Sequence, residues 1–155
     1  MNRQSATVPP GQKRAFVHVG MHKTGTTSFQ YWIDDHREEI LARSGLLAHT
    51  GYFIPSHVEL ALLCVRPRLT TPDRLLYPDA SLPRVRERLA AHVRATVESD
   101  APDVVFSCEG LDFIREQAEV DALCDLLAPR MATELPRGEG TDYTIYPAPL
   151  SEPYK

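Results

Sequence analysis

Residues 15–33 read AFVHVGMHKTGTTSFQYWI, and the way this stretch divides decides the fold. Ala15 to Val19 is a short aromatic and β-branched run that Gly20 stops, the pattern of a buried strand ending in a turn. From Thr26 the period changes: Phe29, Trp32, Ile33, His36, Ile40 and Leu41 recur at three and four, and Gly45 is placed to cap the end. The order is strand, glycine turn, amphipathic helix.

Between the two elements Gly20 to Thr27 reads GMHKTGTT, with its two glycines five apart. Such a turn favours an anion. Glycines let consecutive N–H groups curl inward, and the following helix contributes about half a positive charge at its first turn. Thr26 and Thr27 add hydroxyl donors and Lys23 a mobile ammonium. A Walker loop has its lysine directly after the second glycine; here Thr26 stands there and the lysine has moved inside the loop.

Working outward, Leu46 and Leu47 start a second strand, and Ser56 to Glu59 has the S-x-x-E form of a capping box, which predicts a helix beginning at Ser56. A Pro- and Arg-containing loop over 66–83 leads to a helix with Val85, Leu89, Val93 and Val97 on its apolar face and a solvated, arginine-rich face opposite. DVVFS, residues 103–107, predicts another buried strand, and Val120, Leu123, Cys124 and Leu127 mark a last helix. Alternating strands and helices make an α/β domain with a parallel sheet. From Met131 four prolines and two glycines break any period. The expected organisation is a disordered segment over 1–13, a domain over 14–130 and an irregular tail over 131–155.

Composition narrows the function classes. The chain has 155 residues, 43% of them apolar, enough for one domain with a core of its own. With 17 basic against 21 acidic residues and a formal charge of −4, it carries no footprint for nucleic acid. Three widely spaced cysteines, Cys64, Cys108 and Cys124, suggest neither a disulfide framework nor a zinc site. No apolar run approaches the length of a membrane helix, and MNRQSATVPP lacks the apolar segment of a signal peptide, so a cytoplasmic protein with reduced thiols is expected.

The arrangement of strand, G-x-x-K-x-G-T-T and helix resembles the 5′-phosphosulfate-binding loop of the sulfotransferase family, whose fold is similar to that of P-loop kinases. FVHVGMHKTGTTSFQ looks like the family's first strand and loop, and LLAHTGYFIPSHVELAL like its second-strand region. DVVFSCEGLDF is similar to a strand ending in Ser-x-Glu in bacterial members, and the likeness covers about residues 14–130.

The resemblance implies a three-layer α/β/α domain of the P-loop NTPase type. It implies 3′-phosphoadenosine 5′-phosphosulfate as co-substrate, no metal, and sulfuryl transfer to a hydroxyl or amine of a small-molecule or carbohydrate acceptor. Lys23 would contact the bridging oxygen as charge develops on the leaving phosphate, within a donor site of Gly20, Met21, His22, Lys23, Thr24, Gly25, Thr26, Thr27 and Ser107.

For the base, His57 follows the second-strand region and titrates near neutrality, and Glu109 lies at the carboxyl end of a strand. The structural alternatives are a solvent-exposed histidine beside a helix cap and a helix-capping carboxylate. His18 reads as a core histidine, Trp32 as a core side chain rather than a base-stacking platform, and the dispersed histidines give metal binding little support.

The family's arginine and serine clamp for the donor 3′-phosphate has no counterpart, because the tail replaces the strand expected after LAPRM. A domain truncated at its carboxyl end is therefore expected, with a missing strand beside β-strand 15–19, an exposed edge favouring self-association, and weak or no turnover. Two other functions stay open. One is an ATP-dependent small-molecule kinase, weakened by the displaced lysine; the other is a non-catalytic remnant.

Overall fold

The computed structural model describes residues 14–19, 26–128 and 145–147, which form a mixed α/β arrangement around a parallel sheet. Strands β1 (Arg14–Val19), β2 (Leu46–Ala48), β3 (Asp103–Ser107) and β4 (Ile145–Pro147) lie in the order β2-β3-β1-β4. Each neighbouring pair is parallel, with Phe16 opposite Val105, Leu47 opposite Val104 and Val17 opposite Ile145. All three strands expected from the sequence form.

β4 corrects the reading of 131–155 as wholly irregular, and it pairs with β1 on the flank expected to be bare. It escaped notice because a three-residue strand ending in proline carries no alternation. The rest of the tail and the segment 1–13 lie outside the described residues.

Helices α3 (Val58–Cys64), α5 (Pro83–Val97) and α6 (Gln117–Leu127) pack on one another, and with Val17, Val104 and Phe106 of the sheet they enclose the main core. On α5 the expected face is in place: Leu89, Val93 and Val97 are buried, and Val85 packs on a second cluster of Val58, Leu62, Ala80 and Leu89. Its arginine face is not wholly solvated. Arg86 turns inward and donates to the Leu62 and Leu63 carbonyls at 2.8 and 2.9 Å, satisfying carbonyls that the end of α3 leaves free.

The loop over 66–83 contains α4 (Pro72–Leu76), started by Thr71, whose hydroxyl accepts from the Arg74 N–H at 3.3 Å, and a 3-10 turn over Pro78–Ser81. The capping box expected at Ser56 does not form. α3 begins at Val58 with no side-chain cap, and Glu59 turns into the protein. A reciprocal box does form at α6, between Glu116 and Glu119.

The single helix expected from Thr26 breaks at His36 into α1 (Thr26–Asp35) and α2 (Arg37–Ser44), which Gly45 ends at φ 72° with its N–H on the Leu41 carbonyl. Its buried face is also rotated from the apolar one. Thr26, Gln30 and Ile33 are buried, while Phe29, Trp32 and Leu41 are 39–51% exposed, so the core position expected for Trp32 is corrected. Trp32 stacks instead on His36, ring centres 4.9 Å apart. No helix among the described residues is long and apolar enough to cross a membrane.

Candidate functional site

His18 and Ser107 are register partners at the carboxyl ends of β1 and β3, and Ser107 is the hub of a polar cluster there. The Gln30 amide of α1 donates to Ser107 Oγ at 3.2 Å, and Ser107 Oγ lies 2.9 Å from His18 Nδ1. The amide donates to the hydroxyl oxygen, which keeps a second lone pair and its own proton, so Ser107 joins Gln30 to His18 in either ring tautomer. Burial lowers the His18 pKa, partly offset by the charge of Glu109, so the ring stays neutral near pH 7.

His57 closes the cluster from the other side. Its backbone N–H donates to the Ser107 carbonyl at 3.0 Å, and its Nδ1 accepts from the Ser107 N–H at 2.8 Å. Its ring lies edge-on to that of His49, centres 4.9 Å apart. Burial, reinforced by nearby His49 and His92 and partly opposed by the His49 backbone, pushes the His57 pKa down to about 3.

His57 is therefore not the solvent-exposed residue that was one reading of the sequence: it is buried, its Nδ1 is taken by the Ser107 N–H, and the ring braces the end of β3. Gly51 makes room for this brace: a Cβ there would stand 1.7 Å from the Ile54 carbonyl oxygen, so only glycine lets 51–54 turn so tightly beside the imidazole.

Of the other expected residues, Thr26 is buried at the start of α1 and Thr27 is exposed. Ser107 is 1% exposed and lies at the floor of the cluster, with Gln30 and His18 on its hydroxyl and His57 on its backbone. Glu109 is half-buried and opens the 3-10 turn Glu109–Phe113, near enough to His18 for its charge to act there. Gly20, Met21, His22, Lys23, Thr24 and Gly25 lie outside the described residues.

A second polar cluster lies next to His57. His49 follows β2, buried, with Nδ1 2.6 Å from Thr96 Oγ1 and Nε2 2.8 Å from Glu59 Oε1. Glu59 Oε1 also accepts from the Tyr52 N–H at 3.3 Å, whereas its Oε2 is buried with no partner. His92 of α5 donates from Nε2 to the Thr50 carbonyl at 2.6 Å, and its ring centre is 4.8 Å from that of His49.

Sequence reasoning missed this second cluster because its members come from three elements at no recognisable spacing. One signal was present: Glu59 is the lone charge inside the apolar run VELALLC. The three thiols are free, as expected. Cys64 and Cys108 are buried and Cys124 half-buried, and burial raises all three pKa values, that of Cys64 to about 12.

Together the described residues supply a neutral, hydrogen-bonded floor at the carboxyl ends of the two inner strands, with a carboxylate at its rim. No family model, curated protein or solved structure matches the chain.

Proposed function

We propose that the chain binds the phosphosulfate end of 3′-phosphoadenosine 5′-phosphosulfate through residues 20–27 and is a sulfotransferase-type domain. The observation that carries this reading is the position of that loop: it joins β1, an inner strand of a parallel sheet, to α1, whose first residue is Thr26. Connectivity supports it. The chain leaves β1 towards β2 in one direction and leaves β3 towards β4 in the other, so the carboxyl ends of β1 and β3 flank a switch point, where open α/β sheets take their ligands. Right-handed crossovers would then send α1 and α2 to one face and α3, α5 and α6 to the other, the three-layer form of a P-loop fold.

In the proposed reaction the acceptor oxygen or nitrogen attacks sulfur, the bond from sulfur to the bridging oxygen breaks, and the nucleotide bisphosphate leaves. The loop holds the 5′-phosphate on N–H groups and the hydroxyls of Thr26 and Thr27, and Lys23 neutralises charge growing on the bridging oxygen. With the His57 pKa pushed down by burial and its Nδ1 held by the Ser107 N–H, Glu109 is the candidate that receives the acceptor's proton. An ATP-dependent kinase is disfavoured because β3 ends in Ser107, where a Mg²⁺-holding carboxylate would be wanted.

Calorimetric titration with 3′-phosphoadenosine 5′-phosphate, beside ATP with Mg²⁺, tests the proposal. The bisphosphate is expected to bind the wild type and to bind Lys23→Ala more weakly, with ATP inert. In any turnover assay the same change is expected to raise the barrier by about 3 kcal/mol, the value of one preorganised donor. Binding of ATP alone would favour the kinase; binding of neither by folded protein would leave a non-catalytic remnant.

A further inference from the structure

We propose that His49, Glu59 and His92 form a zinc-binding site. One ligand atom from each residue lies within 4.8 Å of the others, and two of the three residues are buried. Tetrahedral ligands about 2.0–2.1 Å from zinc stand about 3.3 Å apart, so sub-ångström to ångström-scale side-chain shifts would close the set. Two imidazoles and one carboxylate suit zinc, whereas magnesium and calcium favour all-oxygen sites.

The hydrogen bonds around the cluster point the same way. The Thr50 carbonyl can only accept, so His92 carries its proton on Nε2 and keeps the Nδ1 lone pair for a metal. When His49 Nδ1–H donates to Thr96 Oγ1, its Nε2 lone pair faces the carboxylate oxygen of Glu59 at 2.8 Å. Two lone pairs at that distance repel unless a positive centre lies between them. A proton would serve Oε1 alone and leave Oε2 of this fully buried carboxylate unpartnered; a divalent cation would draw on both oxygens and on His92 as well. Each histidine also has the outer partner that metal-bound imidazoles use to fix their tautomer, Thr96 for His49 and the Thr50 carbonyl for His92.

Such an ion would pin the end of β2, the first turn of α3 and the middle of α5 to one point. It would do so beside His57, whose ring is 4.9 Å from that of His49. The site is separate from the nucleotide loop and stands or falls independently of it.

The test uses the full chain stripped with a chelator and titrated with Zn²⁺ by calorimetry, as wild type and as His92→Ala, a change at the half-buried ligand. One ion per chain is expected in the wild type, with affinity at least 100-fold lower in the variant and a zinc-dependent rise in melting temperature only in the wild type. Failure of folded wild type to bind, or equal binding by the variant, would overturn the proposal. X-ray absorption on zinc-loaded wild type needs no variant to fold: nitrogen and oxygen neighbours at about 2.0–2.1 Å are expected, and sulfur at about 2.3 Å would assign the metal to a cysteine and overturn it.

Discussion

Leu89, Val93 and Val97 of α5 are closed to solvent, at 0, 0 and 4% exposure, whereas Phe29, Trp32 and Leu41 of α1 and α2 stand 39–51% open. What α1 buries is largely polar: Thr26, and Gln30 with its amide on Ser107. The helices α3, α5 and α6 are held by apolar area, and α1 is held in good part by its contacts with the floor of the site. A period of three and four tells which residues share a face; it does not tell which face is covered.

The largest expected effect belongs to the apolar side. Leu89→Ala removes a side chain with no exposure and is expected to cost about 3 kcal/mol, read from the denaturant midpoint. A cost near zero would mean that α5 is not the keystone described.

Next comes a charge buried on the same side. Glu119 accepts from the backbone N–H groups of Arg66, Arg115 and Glu116 at 2.7, 2.7 and 2.9 Å, and from the Arg66 guanidinium. Burial opposes its charge, but these donors outweigh it and bring the pKa from 4.5 to about 2. A depressed carboxylate stabilises the fold above its unfolded pKa and loses that contribution as pH falls through the folded value. Glu119→Gln is therefore expected to cost about 2 kcal/mol at pH 7, a penalty that shrinks between pH 4.5 and about 2. His57 acts in another window: its neutral folded form loses stability from pH 6.5 down to about 3, and the glutamine variant should keep that part of the acid loss. A penalty independent of pH would show that Glu119 acts through packing alone.

The smallest effect is expected on the open side. Trp32→Ala should change stability by no more than about 0.5 kcal/mol, because half of the ring already faces water. A loss comparable to that of Leu89→Ala would mean that something covers this face, and would erase the contrast.

Helices α5 and α6 and two of the strands were legible because their apolar patterns are sustained, whereas α3 was expected from a capping box that does not form. Arg14–Val19 and Asp103–Ser107 are β-branched and aromatic, and Pro83–Val97 repeats its apolar positions over four turns. β4 was not legible, since parallel pairing leaves no local trace in a three-residue strand.

The candidate site divides in the same way. The glycine loop and Ser107 stand in one or two contiguous segments and can be seen in the sequence. The burial of His57 and the hold of the Ser107 N–H on its Nδ1 were not legible, because no spacing reports either. Gln30 and the cluster of His49, Glu59 and His92 depend on elements that meet only in the folded chain.

The sheet order also has a consequence for how the protein comes into being. β1 forms no ladder with its sequential neighbour β2; its partners are β3, with Arg14 pairing to Asp103 across 89 positions, and β4 farther along still. At a synthesis rate of about 5–20 residues per second, β1 leaves the ribosome about 4–18 s before its first partner strand. Over that interval Phe16 and Val17 and two open rows of backbone donors and acceptors remain available to other chains. Expression of this protein should therefore depend on chaperone supply and on translation speed across residues 20–103 more than its final stability would suggest.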